Sequence, residues 1–407
     1  MIKQKDFPVI TGLGIITPQG QGKSDVLKEL IAGNSYFSTM KRDGRQKNSS
    51  FVGAEIAHPL IPKELPTSTF RTASLSSQLA ALVVHEAWQE AKCDEIKPNS
   101  IGLIIGGTNL QQRENMLLQE KFAEKPHFIK PYYGLSFMDS DIIGLCTELF
   151  NIRGTCFTVG GASASGQIAF IRGVKAIISG EMDVCIVVGA MQDLSFYELY
   201  ALEALGAMVS SGHPNPKLAC RPYDQNRQGF VYGESCAAII LESNLHADKR
   251  GISKYAQVLG WDMLCHGNRN PAPSLAAEMQ TIQNCLSMAG FNPEQIDYVN
   301  PHSTGSLIGD QTEIEALIKC QLTDAYINTT KSITGHGLSA AGAVEIVSTL
   351  LQARAQLLHP CLNLEKPVST FLNLVSNEAI RHIMQNALCL SFGFSGINSS
   401  VCFKIIE

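Results

Sequence analysis

Apolar residues recur along the chain at two spacings, and the switch between them predicts the elements. Leu75, Leu79, Leu82 and Val83 share one face of a 3.6-residue period, which predicts a helix over 74–91. Pro98-Asn99-Ser100 breaks it before the short apolar run 101–105, which has the pattern of a strand covered on both faces. The same order returns later. Leu275, Met279, Ile282 and Leu286 mark a helix, Asn292-Pro293 a break, and residues 296–299 a strand. Further strands are predicted at 7–13, 184–188 and 237–241, and helices at 139–150 and 163–179. Residues 335–358 open with Gly, Ala and Ser into a long apolar helix, as 163–179 does, whereas 111–130 is charged and irregular and 221–227 is turn-rich. Two copies of one alternating β/α plan predict a duplicated α/β fold with helix-covered sheets.

Composition narrows the class. A chain of 407 residues, 45% hydrophobic and 17% charged, is long enough for a large core and has the balance of a soluble globular protein. A net charge of −5 and a pI near 6.1 exclude nucleic acid as the main partner, while leaving room for a small basic patch. No apolar run is long enough to span a bilayer. Met1 to Asp6 lead into the strand-like residues 7–13 with no apolar signal segment. Twelve cysteines without a C-x-x-C pair fit reduced, buried thiols, so a cytoplasmic location and no metal site are expected.

Two glycine clusters near the start mimic phosphate-binding loops. Thr11-Gly12-Leu13-Gly14 lacks a third glycine and is followed by Pro18, and Gly20-Gln21-Gly22-Lys23-Ser24 has Thr17 where its first glycine belongs. Both are rejected. A third cluster has more content. The β-prone run 156–159 meets Gly160 and Gly161, which permit a sharp turn with positive φ, and Ser163 then stands at the start of an apolar helix. Free N–H groups and the helix dipole favour negative charge there. Small residues at this place also suit close packing of a buried helix, and the stretch alone leaves both readings open.

Three polar stretches complete the candidate site. The first is Asn300-Pro301-His302-Ser303-Thr304-Gly305-Ser306, with Gly309, Asp310 and Glu313 beyond it; His302 follows a predicted strand, at the end where α/β proteins bind ligands. The second runs from Lys331 to His336, and the third is the glycine-broken turn from Ser391 to Asn398, whose N–H groups suit an oxyanion hole. Two neutral imidazoles donating N–H bonds to one carbonyl oxygen stabilise an enolate. His246, His266 and His359 lack such a setting and are read as structural or surface residues.

Taken in order, these segments resemble a β-ketoacyl-acyl-carrier-protein synthase of the thiolase superfamily. The resemblance rests on residues 9–14, on Arg221-Pro222-Tyr223-Asp224 through Gly229 to Glu234, and on Pro301 to Gly305 with Gly309-Asp310. It continues through Lys331 to His336, Ala340 to Glu345, and Phe392-Gly393-Phe394-Ser395-Gly396-Ile397-Asn398, covering nearly the whole chain. It implies a five-layered α/β/α/β/α thiolase-like fold, usually a homodimer, divided here into halves at 1–251 and 252–407. It also implies that Lys331 and Glu345 form a charge network supporting His302 and His336, and that Phe394 is the gate of the pocket.

One position departs from the family. Its elbow reads T-x-x-x-A-C, with cysteine as the acyl-accepting nucleophile, whereas Thr158-Val159-Gly160-Gly161-Ala162 is followed here by Ser163. Cysteine ionises near 8.5 and is strongly nucleophilic, while serine needs a general base. Acyl loading is therefore expected to be poor. Decarboxylation of a malonyl thioester needs the histidines and not the thiol. The pattern is similar to the serine-bearing, ketosynthase-like decarboxylases of polyketide β-branching, which turn malonyl-carrier protein into acetyl-carrier protein for a synthase related to hydroxymethylglutaryl-CoA synthase. The implied partner is malonyl-loaded acyl carrier protein, whose phosphopantetheine arm replaces any cofactor of the chain's own. Alternatives are a condensing synthase that tolerates serine and a non-catalytic subunit resembling a chain-length factor. A serine hydrolase is disfavoured, because Gly161-Ala162-Ser163-Ala164-Ser165 lacks the last glycine of its elbow.

Overall fold

The computed structural model describes residues 7–406. Its first half contributes β1 (Val9–Thr17), β2 (Ile101–Gly106), β3 (Cys156–Val159), β4 (Val184–Gly189) and β5 (Cys236–Glu242). Its second half contributes β6 (Ala256–Cys265), β7 (Tyr298–Asn300), β8 (Tyr326–Ile327), β9 (Asn386–Gly393) and β10 (Ile397–Ile405). The strand orders are β3-β2-β4-β5-β1 and β8-β7-β9-β10-β6, with the same pattern of parallel and antiparallel neighbours in each. The halves join where β1 runs antiparallel to β6, Val9 opposite Gln257 and Ile10 opposite Ala256.

Six helices cover these sheets: α1 (Leu75–Glu90), α2 (Ser140–Phe150), α3 (Ser165–Ser179), α4 (Leu275–Ala289), α5 (Leu307–Lys319) and α6 (Ala341–Ala355). The pair α1 and α2 lies on the outer face of the first half-sheet, α4 and α5 on the outer face of the second, and α3 and α6 pack between the two. The result is the five-layered, duplicated arrangement. Strands covered on both faces need no polar side, and β4 and β5 are accordingly buried at every position. The helix starts are set by serine caps: Ser74, Ser274 and Ser306 accept from the N–H groups of Ser77, Ala277 and Gly309.

Some local expectations are revised. Met1 to Asp6 lie outside the described residues, and the first strand runs over Val9–Thr17 rather than 7–13. Gly12 and Gly14 are inside it. A Cβ on Gly14 would stand 1.9 Å from the carbonyl oxygen of Val83, so this glycine lets α1 lie directly on the strand and has no part in binding phosphate. Gly20 and Gln21 pair back onto β1, and Gly22 precedes the helix Lys23–Ile31. The irregular excursion expected over 111–130 contains an α-helix, Gln112–Phe122. Its period is disguised because Arg113 turns inward, donating from Nε to Asp193 Oδ1 at 2.9 Å. The second-half strand begins at Tyr298, two residues later than its apolar run suggests.

Glycine substitutions test this packing. Gly14→Ala is expected to lower stability by about 2–3 kcal/mol, as overpacking against rigid backbone does. Gly144→Ala, at an exposed position of α2 with no atom near the added methyl group, is expected to raise it by about 0.5–1 kcal/mol. Urea titration reads both, and equal effects would contradict the close approach of α1 to β1.

Candidate active site

Ser163 sits in a single 3-10 turn, Ala162–Ala164, between β3 and α3. The glycines before it act differently from the expectation. Gly161 is extended at φ −168°, and the left-handed residue is Ala162 at φ 50°. Gly160 and Gly161 are instead small for close contact, since an added Cβ would meet Thr108 Cγ2 at 2.4 Å or Ile168 Cδ1 at 2.1 Å. A left-handed alanine costs about 1–2 kcal/mol. Ser165 offsets this by clamping the turn: its Oγ accepts from Gly161 N at 2.9 Å and donates to the Ala162 carbonyl at 2.7 Å.

The second half repeats the device. Leu338 is left-handed at φ 50°, a 3-10 turn follows at Leu338–Ala340, and α6 then runs for 15 residues, as α3 does. His336 lies just ahead of that turn. Its backbone is strapped to the segment preceding β5, donating from N to the Val231 carbonyl at 2.7 Å and accepting from Gly233 N at 3.2 Å. The Phe230 ring meets its imidazole edge-on, with centroids 5.1 Å apart.

These placements put Ser163 Oγ 2.9 Å from His336 Nε2. His302, two residues beyond β7, brings its ring to 5.5 Å from that of His336 at an interplanar angle of 82°. Nδ1 of both rings lacks a hydrogen-bond partner among the described residues. A proton on Nδ1 would be an orphaned buried donor, so the ring proton belongs on Nε2 in each. His336 therefore donates to the serine oxygen. Among the described residues no carboxylate stands behind His336 to make it a base, which removes the third member a serine nucleophile relies on.

The surrounding charges enforce the neutral state. Burial first, then the nearby Lys331 ammonium, holds His336 well below the usual histidine range; for His302 the other imidazole adds to the same two causes. Lys331 forms a buried ion pair with Glu345 and donates to the His302 carbonyl at 2.5 Å. It thus grips the histidine's main chain and leaves the imidazole free. Burial pushes the Glu345 carboxyl up to about 7 against the pull of Lys331. Removing either partner of such a pair strands a buried charge, at a cost of about 3–5 kcal/mol.

Glu313 accepts from His302 N at 2.6 Å, from Ser303 N at 2.8 Å and from the Tyr223 hydroxyl at 2.8 Å. Asp310 accepts from Gly305 N and Tyr223 N and lies 3.7 Å from Arg227 Nε. These two carboxylates knit the 221–227 loop to the His302 loop. Burial raises Glu313 to about 7 and Asp310 to about 6.

The rings open into a cavity of about 370 Å³ that Ser163, His302 and His336 line together with Phe230, Phe392 and Phe394. Phe394 is half-buried in its wall, and the Phe392 ring stands 5.7 Å from that of His302. His266, read from sequence as a structural or surface residue, also lines this cavity, with Nδ1 3.4 Å from Asn398 Nδ2 and Nε2 without a partner among the described residues. His359 is buried elsewhere, beside Thr330, and His246 pairs with Glu242. Sequence reasoning missed His266, Phe230 and Glu278. Only Glu278 left a signal, an acidic residue inside the apolar stripe of α4, three residues after Leu275 and four before Ile282.

The chain matches the family model of the beta-ketoacyl synthase N-terminal domain over residues 8–247 and that of its C-terminal domain over residues 255–365. It is 51% identical, over 98% of this chain and 96% of the relative, to the polyketide biosynthesis malonyl-ACP decarboxylase PksF of Bacillus subtilis (strain 168). It is 31% identical to 3-oxoacyl-[acyl-carrier-protein] synthase 1 of Haemophilus influenzae, over 97% of this chain and 98% of that one. The crystal structure of a beta-ketoacyl synthase from Burkholderia phymatum superposes with a TM-score of 0.90 at 24% identity, covering 99% of this chain and 100% of that one. With both domain models matched in order and the elbow, histidine and gate motifs gathered around one cavity, this chain belongs to the beta-ketoacyl synthase family.

Proposed function

We propose that this protein removes carbon dioxide from a malonyl thioester on acyl carrier protein, leaving acetyl-carrier protein, within polyketide β-branching. One observation carries the proposal: the Ser163 hydroxyl is held at 2.9 Å by a histidine with no carboxylate behind it, beside a second neutral histidine. The relative that is 51% identical is a malonyl-ACP decarboxylase, which supports the same reading. The bond from Cα to the carboxylate breaks, its electron pair enters the enolate, and carbon dioxide departs. The Nε2–H of His302 bonds the enolate oxygen, and that of His336 turns to it from the Ser163 oxygen, as donors do at a developing oxyanion. A proton on Cα then completes the acetyl group.

The remaining machinery supports the histidines. Lys331 and Glu345 keep them neutral and in place, Asp310 and Glu313 hold the loop that carries His302, and Phe394 closes the acyl side of the cavity. The substrate's phosphopantetheine arm is the only prosthetic group this chemistry needs. The halves divide the work, with Ser163 in 1–251 and the two histidines with Phe394 in 252–407. Exposed Phe128, Leu135, Phe137 and Met138 are apolar side chains of the kind a second copy would cover. Among the described residues no helix is long and apolar enough to cross a membrane, and a cytoplasmic site suits the free cysteines.

Incubation with malonyl-carrier protein and no acyl donor, followed by intact carrier mass, tests the activity. Conversion to acetyl-carrier protein is expected; a chain-extended product formed only with added acyl donor would overturn the reading in favour of condensation, and turnover only with another subunit would overturn it in favour of a partner role. In the same assay His302→Ala and His336→Ala are each expected to slow acetyl formation by about 10²–10³-fold. Ser163→Ala is expected to keep at least about a tenth of the rate, because a hydroxyl that only fills the site contributes little more than one hydrogen bond. Ser163→Cys is expected to gain acyl loading, seen as an added acyl mass on the protein.

The pH profile is a separate check. Both histidines are already neutral at pH 7, since their folded-state pKa lies well below the ordinary value, and only a fall through that lowered value charges them. Charging of the two imidazoles is therefore expected to remove no rate as pH falls from about 7.5 to about 6. A loss centred on the ordinary histidine value near 6.5 would contradict neutral, shielded imidazoles.

A further inference from the structure

Protonation of the enolate carbon is the step the described groups serve poorly. Neutral imidazoles and the Ser163 hydroxyl are hydrogen-bond donors but very weak acids, Lys331 is held by Glu345 and the His302 carbonyl, and both oxygens of Glu313 and of Asp310 are taken by main-chain N–H groups. Glu278 stands in the wall of the same cavity, in the first turn of α4. It is 1% exposed, and its Oε2 has no hydrogen-bond partner among the described residues. An ionised carboxylate would not be left so bare in the interior, whereas a carboxylic acid facing a ligand site is satisfied when the ligand or a water arrives.

The neighbours agree. The titratable groups that face Glu278 are Glu313 and Asp310 on α5, the latter near Arg227, and the Tyr223 hydroxyl, which donates to Glu313. Elsewhere along α4, Asp262 of β6 is engaged by Asn284. Burial, then Glu313 and Asp310, raises the Glu278 carboxyl well above its ordinary value, and this outweighs the preference of a helix start for the anion.

We propose that Glu278 is the acid that returns a proton to the enolate carbon, directly or through one water. The inference rests on the decarboxylase reading. Carbon dioxide leaves with the carbon–carbon bond broken, the enolate pair closes onto Cα by taking the Glu278 proton, and the thioester carbonyl reforms. Glu278 is left as a carboxylate, which takes a proton from solvent through the cavity mouth before the next turnover. One proton is consumed for each carbon dioxide released.

The test compares wild type with Glu278→Gln, which keeps shape and polarity but has no acidic proton, on malonyl-carrier protein in buffer containing 13C-labelled carbon dioxide and bicarbonate. Glu278→Gln is expected to lower kcat at least about tenfold with KM little changed. Its enolate then survives long enough to recapture carbon dioxide, so recovered malonyl-carrier protein gains label that the wild type does not show. The wild-type rate is expected to fall as pH rises through the Glu278 pKa, and the variant to lose that limb. Glu278→Asp, which retains an acid, is expected to recover part of the rate. A variant as fast as wild type, or a slowed and folded one with no label and an unchanged pH limb, would overturn the proposal. Wild-type protein that forms no acetyl-carrier protein would overturn the decarboxylase reading itself, an outcome distinct from either.

Discussion

The site exists because two helices touch at their backbones. A Cβ on Gly166 of α3 would stand 2.9 Å from Ala343 N, and one on Gly342 of α6 would stand 2.8 Å from Gln167 Cβ. Interiors this tight leave no room for a larger residue on either side. Because Ser163 lies just ahead of α3 and His336 just ahead of α6, this contact brings a residue from each half into hydrogen-bonding distance. The left-handed Ala162 and Leu338 are the matching costs, one in each copy. Duplication therefore does more than double the core, since it supplies two equivalent helix starts facing one another.

Around that contact the charges are arranged to keep the imidazoles uncharged. Lys331 lies close enough to disfavour a second cation, yet its own bonds go to Glu345 and to a main-chain carbonyl. α6 carries Glu345, so the same helix that places His336 also anchors the cation that controls it. Glu313 holds the His302 loop by its main-chain N–H groups. Both imidazoles are thereby positioned through backbone, leaving the Nε2–H of His302 for the cavity and that of His336 for the Ser163 oxygen in its wall. Such a site suits a developing oxyanion and does not suit removal of a proton from an alcohol.

Much of this was legible from sequence, and for physical reasons. The two cycles of helix, proline turn and strand predicted the duplication because buried strands and amphipathic helices have different apolar periods. The residues at 163, 302, 331, 336 and 345 stood out through their motifs, and the structure gathers 163, 302 and 336 at one cavity with 331 and 345 paired behind them. What escaped notice depended on distant neighbours. The glycines of the elbow looked like sources of positive φ, but Thr108 and Ile168, far away or on the next turn, are what require their size. Arg113 hid a helix because its inward charge is met by Asp193, eighty residues on. His266 has no local signal, since only the fold of the Gly396 turn places it at the cavity.

The chemistry of the site turns on the state of two imidazole rings. Nitrogen NMR of protein labelled at histidine, recorded near neutral pH with assignments from His302→Ala and His336→Ala, reads that state directly. Neutral rings protonated at Nε2 are predicted for both, including the ring that bonds Ser163. An imidazolium signal, or a His336 proton on Nδ1 that leaves Nε2 to accept from the serine, would contradict it.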